Sequence, residues 1–138
     1  MNNKASFSLE NYRFEKVNIN LDNLGEKRLS VDFSPSGVYN KKSGVFSLSF
    51  LFIAQSEGKG NPFVEIFCTA EHKFEEPLLL EDIPPFFYPN SIAILFPYIR
   101  AFVSTVTLQA NIQPLILPTY NLSSLESKLK DNTTQTEA

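Results

Sequence analysis

Residues 89–100, PNSIAILFPYIR, are the stretch that decides the fold. Asn90 or Ser91 can cap a helix here, because either side chain can accept a hydrogen bond from the free amides of a first turn. Apolar residues then recur at helical spacing; they are Ile92, Phe96, Ile99, Phe102, Val103, Val106 and Ala110. Pro97 is expected to bend this helix after about its first turn, since proline removes a backbone hydrogen bond.

Before this helix, apolar and polar side chains alternate in four stretches, a pattern that predicts strands with one buried face. The stretches are residues 7–21, 31–33, 45–55 and 63–74. Residues 34–37, Ser-Pro-Ser-Gly, are a turn signal, and residues 57–62 form a hairpin loop. Strands joined by such short loops pair antiparallel.

The first predicted strand changes phase twice. Phe7 and Leu9 lie on one face, Tyr12 and Phe14 on the other, and Val17 returns to the first face. Because side chains in a strand alternate with period two, each change of phase predicts a bulge or a twist.

The segments around the helix are rich in proline and apolar residues. Residues 78–89 carry three prolines and the cluster Phe86-Phe87-Tyr88, a composition that opposes both helix and sheet. After the helix, residues 113–118 form an extended apolar loop between prolines. A short helix follows, with Asn121 as its cap and the stripe Leu122, Leu125 and Leu129.

The predicted fold class is therefore α+β: a four-stranded antiparallel sheet followed by one long and one short helix. Residues 1–130 are expected to form a single domain, since a chain of 138 residues is long enough to bury a real core. Residues 131–138 are polar and poor in apolar side chains, and we expect a disordered tail there.

Composition excludes several functions. The 12 basic and 15 acidic side chains give a net charge of −3, which is no footprint for nucleic acid or an anionic membrane. With one cysteine, Cys68, and one histidine, His72, the chain cannot form an internal disulfide or a Cys/His zinc cluster. Both lie on one strand face about 13 Å apart, too far for proton transfer, so a structural or surface role is expected for His72.

No catalytic pattern or phosphate-binding loop is present, so we expect a protein that is not an enzyme and needs no cofactor or metal. The residues before position 7 are polar and lack the apolar core of a signal peptide. The apolar stretch at 101–125 is interrupted by polar residues and prolines and cannot cross a bilayer as one helix. The expected location is the cytoplasm, without direct membrane insertion.

The aromatic content is the informative feature: thirteen Phe and five Tyr with no Trp. Phe46, Phe50 and Phe96 are expected in the core. Three adjacent aromatic residues at 86–88 in a non-helical segment cannot all point into one core, and residues 78–80 and 115–117 add apolar loop surface. Such surface indicates an oligomer contact or a binding groove.

The helical stretch resembles the SecB family of bacterial export chaperones. The likeness centres on Ile94-Leu95-Phe96-Pro97-Tyr98-x-Arg100 and continues through Ser104-Thr105 and Leu115-Ile116-Leu117-Pro118. The order of elements is also similar, with four strands, an aromatic connector, a long helix, an extended loop and a short helix. The resemblance covers residues 7 to 130.

This resemblance implies an ATP-independent holdase that binds unfolded or precursor polypeptides in apolar grooves. It implies a homotetramer built as a dimer of dimers, in which some members hand clients to the motor protein SecA for export. Together with the apolar loops it places the client groove at Phe74, Leu78, Ile83, Phe86, Phe87, Tyr88, Leu115 and Ile116. The expected oligomer interface is Phe96, Tyr98, Phe102 and Val106.

Phe63 and Glu65 match a SecA contact of the family, whereas Lys16 and Asn20 stand where its first strand carries acidic side chains. This departure leaves open a dedicated chaperone of a single client, such as an antitoxin. The apolar surface is also compatible with a small-ligand-binding protein or enzyme that uses the apolar cavity. A third possibility is a structural oligomer whose aromatic residues serve only subunit contacts.

Overall fold

The computed structural model describes residues 6–26, 28–117, 122 and 124–136, which form a five-stranded sheet packed on one face against two helices. In chain order the elements are β1 (Phe7–Ile19), β2 (Leu29–Asn40), β3 (Val45–Ser56), β4 (Val64–Phe74), α1 (Phe87–Gln109), α2 (Ser124–Asp131) and β5 (Thr133–Thr136). The strand order is β1-β4-β3-β2-β5. The first four strands pair antiparallel, and β5 runs parallel to β2.

The fifth strand corrects the predicted four-stranded sheet. The tail was expected to be disordered from Asp131, but α2 extends to that residue and Thr133–Thr136 pairs with Gly37–Asn40 of β2. The sequence of β5 is polar throughout and has no apolar alternation, so its pairing with β2 depends on the main chain. The predicted helix cap Asn121, Pro118 and residues 137–138 lie outside the described residues.

β1 contains both irregularities that the changes of phase predict. Its register against β4 shifts between Leu9 and Asn11 and again between Phe14 and Lys16. The extra residue at each register shift moves the alternation of side chains by one position, so the apolar side chains of β1 all face the helices. The apolar residues of β1 pair with residues of β4 that are all buried. In order, the β1 residues are Phe7, Leu9, Tyr12, Phe14, Val17 and Ile19, and their β4 partners are Phe74, His72, Ala70, Cys68, Ile66 and Val64. The expectation that Tyr12 and Phe14 face the other side is therefore wrong, because the bulges reverse the alternation.

β2 continues through the predicted turn at residues 34–37. The turn lies instead at residues 41–44, where Gly44 adopts a φ of 74°, a left-handed conformation that favours glycine. Pro35 is tolerated inside β2, opposite Phe50 of β3, because this part of β2 lies beyond the span paired with β5 and needs no donor on its outer side.

α1 begins at Phe87, earlier than the predicted cap at Asn90 or Ser91. Pro89 is compatible with this start, because the amides of the first turn have no partner within the helix. Pro97 lies inside α1 without ending it. The connector before α1 contains a 3-10 turn at Leu80–Asp82.

The core lies between the sheet and the helices. Phe46, Phe50 and Phe96 are buried in it, which confirms their predicted place. By length and composition alone, α1 could also cross a membrane, a test that the core helix of a soluble protein passes as well. In this structure its inward face, which includes Ile92 and Val103, is buried in the core.

Candidate functional site

Four of the eight predicted groove residues are buried in the core of the single chain: Phe74, Ile83, Phe87 and Tyr88. The early start of α1 explains the two aromatic residues, because it directs both rings toward the sheet. Phe87 packs within 4.7 Å of the Phe46 ring centroid and 4.9 Å of that of Phe74. In this conformation Phe74, Ile83 and Phe87 offer almost no open surface to a client, and the little that Tyr88 exposes lies in a small pocket beside Thr133, so the predicted groove is not open at these four positions.

The other four predicted groove residues remain accessible. The exposed fraction is 50% for Phe86 and 75% for Ile116, while Leu78 and Leu115 are half-buried. Leu78 is held at its main chain by Tyr39, whose hydroxyl donates to the Leu78 carbonyl at 2.6 Å and accepts from its amide at 2.8 Å.

Leu115 and Ile116 border an open groove of about 470 Å³. Further lining residues come from the loop between β1 and β2 and from the start of β2. The lining residues are Leu24, Gly25, Leu29, Phe63, Ile112, Gln113, Pro114, Leu115 and Ile116. Most of these residues are apolar, and three elements distant in sequence supply them, so the groove is a product of the fold.

A polar stripe on α1 fixes the extended segment that forms one wall of the groove. Arg100 donates from Nε to the Leu117 carbonyl at 3.0 Å, and Ser104 donates from Oγ to the Leu115 carbonyl at 3.0 Å. The Leu115 amide donates to Oγ1 of Thr107 at 2.9 Å. Positions 100, 104 and 107 lie on one side of a helix. These three side chains therefore hold the main chain of the wall while its Ile116 side chain remains exposed.

Arg100 and Ser104 lie in the stretch that resembles the SecB family, but this resemblance alone does not predict that they hold the wall. The signal that could have revealed it is their helical spacing opposite an extended, proline-containing segment. An extended segment leaves its carbonyls without regular partners, and buried main-chain groups need hydrogen bonds.

The predicted SecA contact is only partly accessible. Phe63 has an exposed fraction of 1%, so it cannot be a surface contact of the folded chain. Its main chain is also engaged, because its carbonyl accepts from the Asn20 amide at 2.8 Å. Glu65 is half-buried on the sheet face that points away from the helices, between Asn18 of β1 and Ile53 of β3. Asn20 caps a short 3-10 turn by accepting from the Asp22 amide at 3.1 Å.

The four predicted interface residues differ in accessibility. Phe96 is buried against Phe33, with ring centroids 5.7 Å apart, so its assignment to an interface between folded chains is wrong. Phe102 and Val106 are half-buried, and Tyr98 has an exposed fraction of 43%.

The outward face of α1 nevertheless remains apolar. Ile94 and Leu108 are exposed at 40% and 57%, and Tyr98 lies on the same side of the helix. Within Phe87–Gln109 the one charged side chain is that of Arg100.

His72 and Cys68 both lie on the buried face of β4. Burial lowers the pKa of His72 to about 4, an effect that the backbone of Ser91 partly offsets. The Ser91 backbone is close to the His72 ring but does not meet the geometric criteria of a hydrogen bond. Neither ring nitrogen of His72 therefore has a hydrogen-bond partner among the described residues. Burial, with a smaller contribution from Glu15, raises the pKa of the Cys68 thiol to about 11. These properties fit a structural role for both side chains.

Comparison with known proteins supplies a relative by sequence and a solved structure with a similar fold. No protein-family model matches the sequence. The uncharacterized protein MJ0357 of Methanocaldococcus jannaschii is 30% identical over 137 residues, which cover 93% of this chain and 87% of that protein. The SecB-like chaperone Rv1957 of Mycobacterium tuberculosis, solved in complex with a ChAD peptide from the HigA1 antitoxin Rv1956, superposes with a TM-score of 0.68. That match covers 85% of this chain and 89% of Rv1957 at 14% identity, so it concerns the fold.

Proposed function

This chain belongs to the same family as MJ0357 of Methanocaldococcus jannaschii and has the fold of a SecB-like chaperone, and from that premise we propose that it holds non-native polypeptides without ATP. The activity is binding rather than catalysis, and we place it in the cytoplasm.

The observation that carries this proposal is the open apolar groove beside Ile116. An isoleucine at 75% exposure is costly to leave in water, and the polar side chains of α1 hold it there. Apolar burial is non-directional, so such a groove can accept many client side chains of suitable size. We place client binding at Leu24, Leu29, Leu115 and Ile116.

For the kind of client, a dedicated partner is favoured over general export. The superposed Rv1957 was solved with a peptide from an antitoxin, which supports a specific polypeptide client. The burial of Phe63 removes half of the expected SecA contact, and Lys16 and Asn20 replace acidic residues in the first strand region. We therefore propose a chaperone that serves one client or a few.

We propose that the protein assembles through the outward face of α1, as a homotetramer arranged as a dimer of dimers. Ile94, Tyr98 and Leu108 give this helix an apolar outer surface, of a kind that frequently marks a subunit contact. Burial of this face would leave the groove beside Leu24 and Ile116 to the client.

Size-exclusion chromatography with light scattering tests both proposals. The protein alone should elute with the mass of a tetramer, and it should bind reduced, carboxymethylated α-lactalbumin or an unfolded cognate client without nucleotide. The folded, disulfide-bonded form of the same α-lactalbumin is the matched control and should not bind. A protein that ignores every unfolded chain would overturn the chaperone function, whereas a stable monomer would overturn the assembly alone.

A panel of unrelated unfolded proteins distinguishes the two client ranges. A dedicated chaperone should bind at most a few of them with submicromolar affinity, and it should bind the others, unfolded α-lactalbumin among them, only at micromolar concentrations. Similar affinity for all of them would contradict the preference for a single client.

A further inference from the structure

We propose that the outer edge of β2 at Gly37–Asn40 binds an extended segment of a client chain, and that β5 is a weak internal occupant which the client displaces. This inference rests on the proposed chaperone function and names a second point of contact with the client. The groove beside Ile116 binds client side chains, whereas the β2 edge binds the client main chain.

β5 is held to β2 through its main chain. The Gly37 amide donates to the Asn132 carbonyl at 3.1 Å, and the Lys41 amide donates to the Thr136 carbonyl at 3.2 Å. The side chains of β5 are Thr, Thr, Gln and Thr, of which Thr134 and Gln135 are exposed. Main-chain pairing does not depend on the side-chain sequence, so an extended segment of another protein can make the same hydrogen bonds.

The residues before β5 are held much more firmly than β5 itself. Leu125 and Leu129 of α2 are buried in the core, so α2 is expected to stay in place when β5 detaches. Thr133 would lose the hydrogen bond that its Oγ1 donates to the Leu129 carbonyl at 2.6 Å. A short polar edge strand next to a well-anchored helix belongs to the part of a structure that opens at low free-energy cost.

A pocket at the start of β5 indicates which client segments would compete best. It has a volume of about 220 Å³ and is lined by Leu80, Glu81, Tyr88, Lys130 and Thr133. Removal of Thr133 would extend this pocket and expose more of its apolar wall. A client with leucine or a similar apolar side chain at this position would gain burial that threonine does not provide. The expected client segment is therefore extended, with an apolar residue opposite Gly37.

A reversible disulfide between β2 and β5 tests the displacement of β5. Val38 and Thr134 are register partners and both are exposed, so a Val38→Cys/Thr134→Cys variant of the full chain can be oxidised to lock β5 in place. The native Cys68 is buried and does not compete. We expect the oxidised variant to bind carboxymethylated α-lactalbumin roughly tenfold more weakly than the same variant after reduction. The single variant Val38→Cys is the matched control and should not respond to the reductant.

A labelled peptide tests the edge without an unfolded protein. The peptide carries residues 132–136 with Thr133→Leu, and the protein is the full-chain variant Thr134→Pro, because proline removes a donor from β5. We expect this peptide to bind Thr134→Pro and not the oxidised lock, and the peptide with the native threonine to bind roughly three- to tenfold more weakly. Gln135→Ala keeps the main-chain donors of β5 and is the control for the variant.

The two experiments separate the inference from the proposed function. If wild type binds α-lactalbumin and the lock changes nothing, the β2 edge is not a client site, although the chaperone function stands. If the peptide binds Thr134→Pro but no variant binds an unfolded protein, the edge site stands and the chaperone function falls. If the cysteines link two chains rather than one, β5 is exchanged between copies, and its role as an internal occupant is overturned.

Discussion

Phe14 of β1 and Phe102 of α1 stack face to face, with ring centroids 3.9 Å apart and planes inclined by 6°. Tyr12 and Tyr98 form a second stacked pair on the same two elements, at 4.4 Å and 27°. Two aromatic residues that were predicted to join subunits thus fasten α1 to the edge strand of their own sheet. This contact depends on the bulges of β1, which direct Tyr12 and Phe14 toward the helix.

Replacing Phe102 with alanine should destabilise the single chain. Phe102 is half-buried, so we expect a loss of about 2 kcal/mol in the free energy of unfolding, less than for a fully buried ring. A double-mutant cycle with Phe14→Ala should give a coupling of about 1 kcal/mol. Urea denaturation measures both values.

Gln109→Ala is the control for this prediction, since Gln109 is exposed on the same helix, outside the proposed subunit contact, and should change stability by less than about 0.5 kcal/mol. If Phe102→Ala left the stability unchanged but dissociated the oligomer, the ring would serve the subunit contact after all.

The apolar groove makes a prediction about Ile116. Ile116→Ser should weaken client binding roughly tenfold while leaving the stability of the protein unchanged, because the side chain is mostly exposed without a client. Fluorescence anisotropy with a labelled unfolded client measures the loss. Phe86→Ser is a matched control, since Phe86 is also exposed but does not line this groove. Equal losses in the two variants would argue against a specific groove.

The polar stripe of α1 should control the order of the groove wall. Ser104→Ala removes the hydrogen bond to the Leu115 carbonyl, and we expect it to cost about 1 kcal/mol. Amide exchange at Leu115, measured by NMR, should accelerate in Arg100→Ala and Ser104→Ala. Thr105→Ala is the control, because among the described residues the Thr105 hydroxyl bonds within the helix, to the Ala101 carbonyl at 2.8 Å. Unchanged exchange at Leu115 would mean that packing alone holds the wall.

His72 makes the stability of the protein depend on pH. Its pKa is about 4 when folded, against an ordinary value of 6.5, so the unfolded chain binds more protons between these values. The contribution of His72 to the free energy of unfolding has its full value above pH 6.5. It falls by about 3 kcal/mol as the pH falls toward 4. Urea denaturation at several pH values should show this slope.

His72→Leu should remove the part of the slope between pH 5 and 7, because the chain contains no other histidine. It should also raise the stability at pH 7 by about 1 kcal/mol, since leucine leaves no unpaired buried nitrogen. An unchanged slope in this variant would show that other groups cause the pH dependence.

The sequence allowed correct prediction of the features that depend on apolar periodicity. The alternation in β3 and β4, the stripe of α1 and the bulges of β1 all follow from which side chains must avoid water. The resemblance, resting on the motif from Ile94 to Arg100, added the overall fold.

The features that were missed depend on main-chain partners that sequence periodicity does not reveal. Residues 34–37 have a turn composition, yet pairing with β3 keeps them extended. β5 has no apolar residue, and only its position beside β2 makes it a strand. Three adjacent aromatic residues in a segment without helical signals predict a groove at Phe86, Phe87 and Tyr88. The earlier start of α1 instead buries Phe87 and Tyr88 and leaves Phe86 accessible.

Pro35 favours the solubility of the protein, because it lies in the part of β2 whose outer edge is not paired with β5. Open edges are templates on which identical chains can stack into cross-β fibrils. Pro35 offers no donor two residues before Gly37, so an added strand cannot lengthen its ladder in that direction. The edge of β2 can therefore pair with a short segment but not with a long strand. This limit allows transient pairing with another chain and opposes the growth of amyloid fibrils.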